Sequence, residues 1–150
     1  KYYADSLFGE ENVDETKITN AIKYRSKKET NKIESLKILG NVADKVVIVA
    51  DDLIDTAGTM EALVEAAFAQ GAKCTVICAT HSILSDPATK RLDRLYAEGK
   101  LKELLTTDTV PQPADYAAKH PWFRQYSVAP MLAKMIYKMN REEETSSLYI

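Results

Sequence analysis

Short apolar runs alternate along the chain with longer stretches in which apolar residues recur every three or four positions. The short runs predict β-strands, and the longer amphipathic stretches predict helices. The predicted strands lie within 17–25, 33–40, 45–50, 73–80, 101–110 and 122–128. The predicted helices lie within 58–71, 86–100 and 129–142. Strands that alternate with helices favour a three-layer α/β fold with a mostly parallel sheet flanked by helices.

Local signals indicate where the helices begin and end. Gly71 is expected to end the first helix as a C-cap, and Asp86 to be the N-cap of the second, with Pro87 at its first position. Ser127 is a candidate cap for the last helix. That helix places a methionine-rich stripe on one face, which we interpret as core. The stripe consists of Met131, Leu132, Met135, Ile136 and Met139.

Composition limits the classes of function. The 150 residues suit one domain, 1–150, and a net charge of -2 gives no general basic field for nucleic acid or anionic membrane. No apolar run is long enough to span a bilayer, and the polar N-terminus lacks a signal peptide's apolar core, so we expect a cytoplasmic protein. Cys74 and Cys78 lie on one predicted strand too far apart to pair, and we interpret them as small core residues.

The turn after the strand 45–50 carries the clearest chemistry in the chain. Residues Asp55, Thr56, Ala57, Gly58 and Thr59 offer consecutive amides with small side chains at the start of a helix. Such a turn, at the positive end of a helix dipole, suits a phosphate monoester. We expect Gly58 to permit close backbone approach and the two threonine hydroxyls to add donors.

Two carboxylates precede this turn and need a different role. Asp51 and Asp52 are acceptors that suit a vicinal diol, either directly or through Mg²⁺. A phosphate at one end and hydroxyls at the other describe a sugar phosphate. The alternative is that Asp51 and Asp55 only cap the helix and its turn.

The stretch "VVIVADDLIDTAGT" resembles the ribose-5-phosphate loop of the type I phosphoribosyltransferase fold, an apolar strand followed by DDxxDTGGT. Ala57 stands at the first Gly, a mild change provided that residue 57 does not need a positive φ. The remainder is similar to the C-terminal domain of the ribose-phosphate pyrophosphokinase family. The resemblance extends over "AIKYRSKKETNKIESLKILGNVADK", "ICATHSILSDPA", "TTDTVPQ" and the carboxyl-terminal "SSLYI".

This resemblance implies a flexible catalytic hairpin in which Lys23 and Arg25 are the catalytic cations. They would stabilise charge as the diphosphoryl group of ATP passes to the C1 hydroxyl of ribose 5-phosphate, with Mg²⁺ as cofactor. It further implies an N-terminal ATP-binding domain, a homo-oligomer (dimer or hexamer), and an allosteric site that includes Ser146 and Ser147. No metal-binding residue is assigned within this chain.

Two other functions remain open: a phosphoribosyltransferase that uses the activated sugar, and a non-catalytic regulatory homologue. We expect these 150 residues by themselves to bind ribose 5-phosphate weakly without turnover, because the ATP-binding half of the family's enzyme is not among them. His81 is interpreted as structural, since phosphoryl transfer needs little proton chemistry. His120 is predicted at the surface.

Overall fold

A computed structural model describes residues 18–20, 38 and 40–148. Five parallel strands lie side by side in chain order: β1 (Ile18–Asn20), β2 (Val46–Ile54), β3 (Cys74–Ser82), β4 (Leu101–Thr107) and β5 (Phe123–Tyr126). The helices are α1 (Gly58–Ala69), α2 (Ala88–Ala97), α3 (Tyr116–Lys119) and α4 (Ala129–Asn140), followed by a 3-10 turn at Ser146–Leu148. The predicted α/β fold with a parallel sheet and flanking helices is confirmed.

Side chains alternate across the central strands, so that one face of the sheet forms the core. Val47, Ile77 and Leu104 are each 0% exposed and belong to one cluster with apolar residues of α1 and α2. On the other face, Ile48 and Cys78 are only half-buried. The covered face thus anchors β2 and β3, whose ends carry the candidate site.

β2 is longer than the sequence pattern predicts. The prediction ended the strand near Ala50, but the ladder continues through Asp51 and Asp52 to Ile54, which is 2% exposed. Asp51 pairs with Ala79, and Leu53 pairs with His81. Hydrogen bonding to β3, which the sequence pattern does not report, extends the strand past its apolar run. Both carboxylates therefore lie on a paired strand and not in a loop.

The ends of α1 agree with the prediction, whereas the start of α2 does not. α1 begins at Gly58, and Gly71, at φ 84°, donates its amide to the carbonyl of Phe68 at 2.9 Å just beyond the helix end. The predicted cap at Asp86 is wrong: Pro87 is the N-cap of α2, and no side chain caps that helix. Asp86 instead forms an exposed i,i+4 ion pair with Lys90, 3.2 Å long.

α4 does not form the core that its methionine stripe predicts. None of its residues is buried against the described part of the chain. Its apolar side chains are 42% to 68% exposed at Met131, Leu132, Ile136, Tyr137 and Met139. Amphipathic spacing identifies an apolar face but not the surface that covers it, which is why the prediction of core was wrong for the described residues.

The start of α4 is held by two side chains. Val128 is its N-cap residue; Ser127 Oγ accepts the amide of Ala129 at 3.3 Å, and Asp108 Oδ1 accepts the amide of Val128 at 2.9 Å. Hydrogen bonds from the Ser127 hydroxyl and the Val128 amide lower the pKa of the Asp108 carboxyl. The prediction of Ser127 as the cap is therefore wrong by one position, although its hydroxyl still accepts the amide of Ala129.

Both cysteines are unpaired thiols, as predicted, but they are half-buried on β3 and not in the main core. Burial raises the pKa of each thiol, and two nearby lysines partly oppose this at Cys74. The thiolate fraction at neutral pH is correspondingly small, which favours an unreactive structural role.

His120 has a carboxylate partner that its sequence neighbours did not reveal. Asp93 Oδ1 on α2 accepts hydrogen bonds from Trp122 Nε1 at 2.7 Å and from His120 Nδ1 at 2.8 Å. The Trp122 side chain is 0% exposed, and the His120 ring packs against that of Tyr116 at 4.5 Å. The prediction of a simple surface histidine is wrong. The neighbouring sequence did not reveal the partner because Asp93 lies 27 residues away in the chain.

Asp93→Ala in the full-length protein is expected to lower the free energy of unfolding by about 1–3 kcal/mol. The change leaves the indole N–H of Trp122 buried without its acceptor. Thermal or urea unfolding followed by circular dichroism measures the loss. Asp86→Ala, which lies just before the same helix in an exposed ion pair, is the matched control and should stay within about 0.5 kcal/mol. Equal effects of the two substitutions would contradict the assigned role of Asp93.

Candidate functional site

The carboxyl ends of β2, β3 and β4 meet at one edge of the sheet. Asp51 and Asp52 on β2 lie beside the end of β3, where Leu53 is the pairing partner of His81. Thr107 ends the next strand. Ligands of parallel α/β sheets bind beyond this edge, so these polar side chains share the expected ligand position.

The two aspartates differ in environment. Asp51 is half-buried, and its Oδ1 accepts the backbone amide of Asp52 at 3.0 Å. Asp52 is exposed. The hydrogen bond fixes the Asp51 carboxylate against the strand. Successive side chains of a strand point to opposite faces, so the two carboxylates lie on either side of the end of β2, where each can accept a hydrogen bond from a sugar hydroxyl.

The alternative that Asp51 and Asp55 are helix caps is not supported. The N-cap residue of α1 is Ala57, and no side chain makes a capping hydrogen bond there. Asp55 is exposed, and within the described ranges it forms no hydrogen bond or ion pair. Its carboxylate therefore does not brace the turn.

Ala57 adopts a left-handed conformation, so position 57 does have a positive φ. Its φ is 58° and its ψ is 9°, and the residue is 4% exposed. The condition under which alanine would be a mild change at position 57 is therefore not met. A left-handed non-glycine residue costs about 1–2 kcal/mol. Backbone strain of this kind persists only where surrounding structure holds it.

The left-handed residue gives the turn its capacity to bind an anion. Ala57 is followed directly by helical Gly58, and this succession turns neighbouring amides toward one concave side. The first amides of α1 have no carbonyl partners within the helix and lie at its positive end. Thr56 is exposed and Thr59 is half-buried, so neither side chain is closed off within the core. The predicted phosphate turn has suitable geometry.

A side chain that sequence analysis missed lies behind this turn. Arg91 of α2 donates from Nη1 to the carbonyl oxygen of Thr56 at 2.8 Å, and its Nε lies 3.1 Å from Glu61 Oε2. A Cβ atom built on Gly58 would lie 3.0 Å from Arg91 Nη1. The close approach that Gly58 permits is thus made by Arg91. The contact joins residues 35 positions apart, and no local pattern in the sequence indicates it.

A chain of ion pairs connects α1 to α2 below the turn. Arg94 contacts Glu61 at 2.8 Å, Glu65 at 3.2 Å and Glu98 at 2.9 Å, and Lys100 contacts Glu65 at 2.7 Å. Hydrogen bonds to Glu61 and Glu98 raise the pKa of Arg94, and that from Lys100 lowers the pKa of Glu98. Arg94 and Glu98 therefore both stay charged at neutral pH. Arg94 balances the negative charge of Glu61 near the turn.

His81 lies at the same edge and is braced by threonines. His81 Nδ1 is 2.8 Å from Thr109 Oγ1, and the Thr80 carbonyl accepts from the hydroxyls of both Thr109 and Thr107. The two threonine hydroxyls also lie 2.9 Å from each other, so they form one cluster that holds the His81 ring. The bracing suits the structural role predicted for His81, and the sequence did not indicate its position beside the aspartates.

Several predicted residues lie elsewhere. Lys23 and Arg25 fall outside the described residues, so the structure does not bear on their predicted roles. Ser146 is exposed in the 3-10 turn and donates its hydroxyl to Glu144 Oε1 at 2.6 Å. The side chain of Ser147 is also outside the description. A groove of about 330 Å³ lies beside this turn, lined by residues that include Lys134 and Tyr137.

Asp51 and Asp52 are the side chains of this site that could contact Mg²⁺. Among the residues that the structure describes, no group of three or more His, Cys, Asp or Glu side chains could hold a metal ion. Asp51 and Asp52 still supply hard oxygens, and Mg²⁺ commonly binds through one or two carboxylates together with water and substrate phosphates. The pair therefore fits a magnesium ion that arrives with a substrate.

No described helix has the length and apolar character to cross a membrane.

Comparison with known proteins identifies relatives of this chain. The chain is 38% identical over 126 residues to the ribose-phosphate pyrophosphokinase of Campylobacter jejuni, covering 84% of this chain and 38% of that protein. It is 34% identical over 136 residues to that of Bacillus subtilis, covering 91% of this chain and 41% of that protein. The chain thus spans about two fifths of the length of these curated relatives.

A solved structure and a family profile complete the comparison. The crystal structure of phosphoribosylpyrophosphate synthetase from Mycobacterium smegmatis superposes with a TM-score of 0.63 at 37% identity, covering 74% of this chain and 35% of that one. The profile of the phosphoribosyl synthetase-associated domain matches residues 5–150. The chain therefore belongs to the phosphoribosyl synthetase-associated domain family.

Proposed function

We propose that the full-length protein is a ribose-phosphate diphosphokinase. It transfers the diphosphoryl group of ATP to the C1 hydroxyl of ribose 5-phosphate, giving 5-phosphoribosyl 1-pyrophosphate and AMP. One observation carries the proposal: Asp51 and Asp52 lie on β2 directly before the left-handed turn into α1. Acceptors for sugar hydroxyls and donors for a phosphate thus follow each other at one sheet edge. The family membership supports the same conclusion.

The two halves of the site suit the two ends of one ligand. The amides of residues 57–59 and the hydroxyls of Thr56 and Thr59 receive the 5-phosphate, and α1 adds its dipole. Asp51 and Asp52 accept the ribose hydroxyls. Because the carboxylates face the hydroxyl end, they do not oppose the anion site. This arrangement favours a ligand that carries both groups over inorganic phosphate alone.

The chemistry needs positioning and charge stabilisation more than proton transfer. The C1 oxygen of the sugar attacks the β-phosphorus of ATP, the bond between that phosphorus and the α,β-bridging oxygen breaks, and AMP leaves. The hydroxyl proton passes to solvent. We assign Lys23 and Arg25 to the developing charge on the transferred group. Mg²⁺, when bound with ATP, neutralises phosphate charge, and Asp51 and Asp52 are the residues here that could contact it.

The rest of the proposal concerns parts beyond this chain. An N-terminal domain supplies the ATP pocket, the protein is a cytoplasmic homo-oligomer, either a dimer or a hexamer, and Ser146 and Ser147 contribute to an allosteric site. The length of the relatives, of which this chain covers 38% to 41% in the two cases given above, supports the further domain, and the other assignments rest on the family resemblance.

The full-length protein, incubated with Mg²⁺, ribose 5-phosphate and ATP labelled in its β-phosphate, is expected to release AMP and move the label to the sugar. Ribose without the 5-phosphate is the matched control and should give no transfer. In a second incubation, release of pyrophosphate from added 5-phosphoribosyl 1-pyrophosphate that depends on an added base, without label transfer from ATP in the first, identifies a phosphoribosyltransferase instead. Binding of ribose 5-phosphate without turnover identifies a regulatory homologue. Either result overturns the proposal.

A further inference from the structure

We infer that Arg91 is a positioning residue for the phosphate turn and that Gly58 lacks a side chain in order to admit it. The inference rests on the proposed function, since it assigns how the turn is held ready for the 5-phosphate. Arg91 contacts the turn from α2, with its side chain 32% exposed, and reaches the backbone of Thr56 and the carboxylate of Glu61.

The direction of one peptide group carries the argument. The bond between Thr56 and Ala57 is trans, so the Thr56 carbonyl and the Ala57 amide point in opposite directions. Arg91 Nη1 holds the carbonyl oxygen toward α2 at 2.8 Å. The Ala57 N–H therefore points away from α2, to the side on which a bound phosphate needs donors. The guanidinium also neutralises the partial negative charge of a carbonyl close to that phosphate.

The hydrogen bond from Arg91 to the Thr56 carbonyl matters more with alanine at position 57 than it would with glycine there. Rotating the 56–57 peptide by half a turn would move the φ of residue 57 from 58° into the negative range that alanine prefers. That rotation would replace the outward N–H with an outward carbonyl, which repels phosphate. Arg91 opposes the rotation, because its hydrogen bond to the Thr56 oxygen would be lost. Glycine at 57 has no such preference, so the turn would then depend less on Arg91.

Gly58 is required because Arg91 occupies the space of a side chain at position 58, and not because of the backbone conformation of Gly58. Gly58 starts α1 with an ordinary helical conformation, and Gly71 and Gly99 are among the positive-φ glycines whereas Gly58 is not. A methyl group at position 58 would lie 3.0 Å from Arg91 Nη1. Gly58→Ala is thus expected to displace the guanidinium from Thr56 and to imitate the loss of Arg91.

Arg94 provides a matched control on the same helix. It carries the same charge and contacts the same Glu61, at 2.8 Å, but its partners among the described residues are carboxylates and not the backbone of the turn. Substitution of either arginine removes ion pairs between α1 and α2. Only substitution of Arg91 releases the Thr56 carbonyl.

Steady-state kinetics of the full-length protein test the inference. Arg91→Ala is expected to raise the KM for ribose 5-phosphate about tenfold or more, the effect of one lost charge-assisted hydrogen bond. The kcat and the KM for ATP should change less than about twofold, since the turn contacts only the sugar phosphate. Arg94→Ala should leave all three constants unchanged. Adding Ala57→Gly to Arg91→Ala should recover most of the loss.

The inference is wrong if Arg91→Ala leaves this KM unchanged, if Arg94→Ala raises it equally, or if Ala57→Gly does not rescue. In each of these cases wild-type protein that still converts ribose 5-phosphate and ATP leaves the proposed function intact. Wild-type protein that neither binds nor converts ribose 5-phosphate contradicts the function itself. Thermal unfolding then still tests the pairing: Gly58→Ala should lower Tm less when Arg91 is already alanine. Additive shifts in Tm would contradict the pairing of Gly58 with Arg91.

Discussion

Lys23→Ala in the full-length protein should lower kcat about 10²–10³-fold, the usual effect of removing one group that stabilises transition-state charge. The reason is electrostatic, because Lys23 and Arg25 are assigned to the charge that develops on the diphosphoryl group between AMP and the sugar. A group that acts mainly in the transition state leaves substrate binding nearly intact. The KM for ATP and that for ribose 5-phosphate should therefore change by less than about threefold.

The neighbouring lysines provide the control for this prediction. Lys27 lies in the same charged stretch, "KYRSKKETNK", and is assigned no catalytic role. Lys27→Ala should keep nearly full turnover. If Lys23→Ala also turns over at the wild-type rate with both substrates bound, the catalytic assignment is wrong and the stretch is a solvated charged segment. Arg25→Ala should resemble Lys23→Ala, and the double variant should lose less than the product of the two effects.

Asp52→Asn should weaken binding of ribose 5-phosphate about 10- to 100-fold, because a hydrogen bond to a charged acceptor contributes about 1.5–3 kcal/mol. Asp51→Asn should have a similar effect. Asparagine keeps the shape of the side chain, and its Oδ1 can still accept the Asp52 amide, as Asp51 Oδ1 does at 3.0 Å. The loss then reports the charge that reads the sugar hydroxyls and not a change in β2. Titration calorimetry of the full-length protein measures the binding.

The ligand supplies a second control for the diol assignment. 2-Deoxyribose 5-phosphate lacks one of the hydroxyls, so wild-type protein should bind it more weakly than ribose 5-phosphate, and Asp52→Asn should weaken it further by a smaller factor. Asp115→Asn changes an exposed carboxylate that pairs with Lys119 at 2.6 Å on α3, and it should leave both affinities unchanged. Equal losses for the two sugars in Asp52→Asn would assign that residue to folding or to another ligand.

Local sequence features were sufficient wherever one segment decides its own structure. The apolar runs predicted β2, β3, β4 and β5, since strands with a buried face need such runs. Gly71 predicted the end of α1, because a residue with φ 84° favours glycine. The small residues after β2 also located the phosphate turn. Each of these features depends on neighbours within a few positions.

Contacts between distant segments decided the rest. The pairing of Asp51 with Ala79 extends β2, and the reversal between β2 and α1 imposes the left-handed Ala57. The acceptor that Asp93 provides for Trp122 lies on another element, and the exposure of the α4 stripe depends on which surfaces meet. None of these follows from spacing along the chain.

The sequence by itself determined the positions of β2 to β5 and of the three longer helices, and it placed two carboxylates and a turn of small residues at the end of β2, because backbone preference and apolar periodicity are local. It did not predict α3. Only the tertiary structure decided how that turn is held. Arg91 reaches Thr56 across 35 residues, and the space above Gly58 that admits it exists only once α1 and α2 pack together. The residues proposed to recognise the ligand were therefore indicated by the sequence, whereas Arg91, proposed to orient the turn, was not.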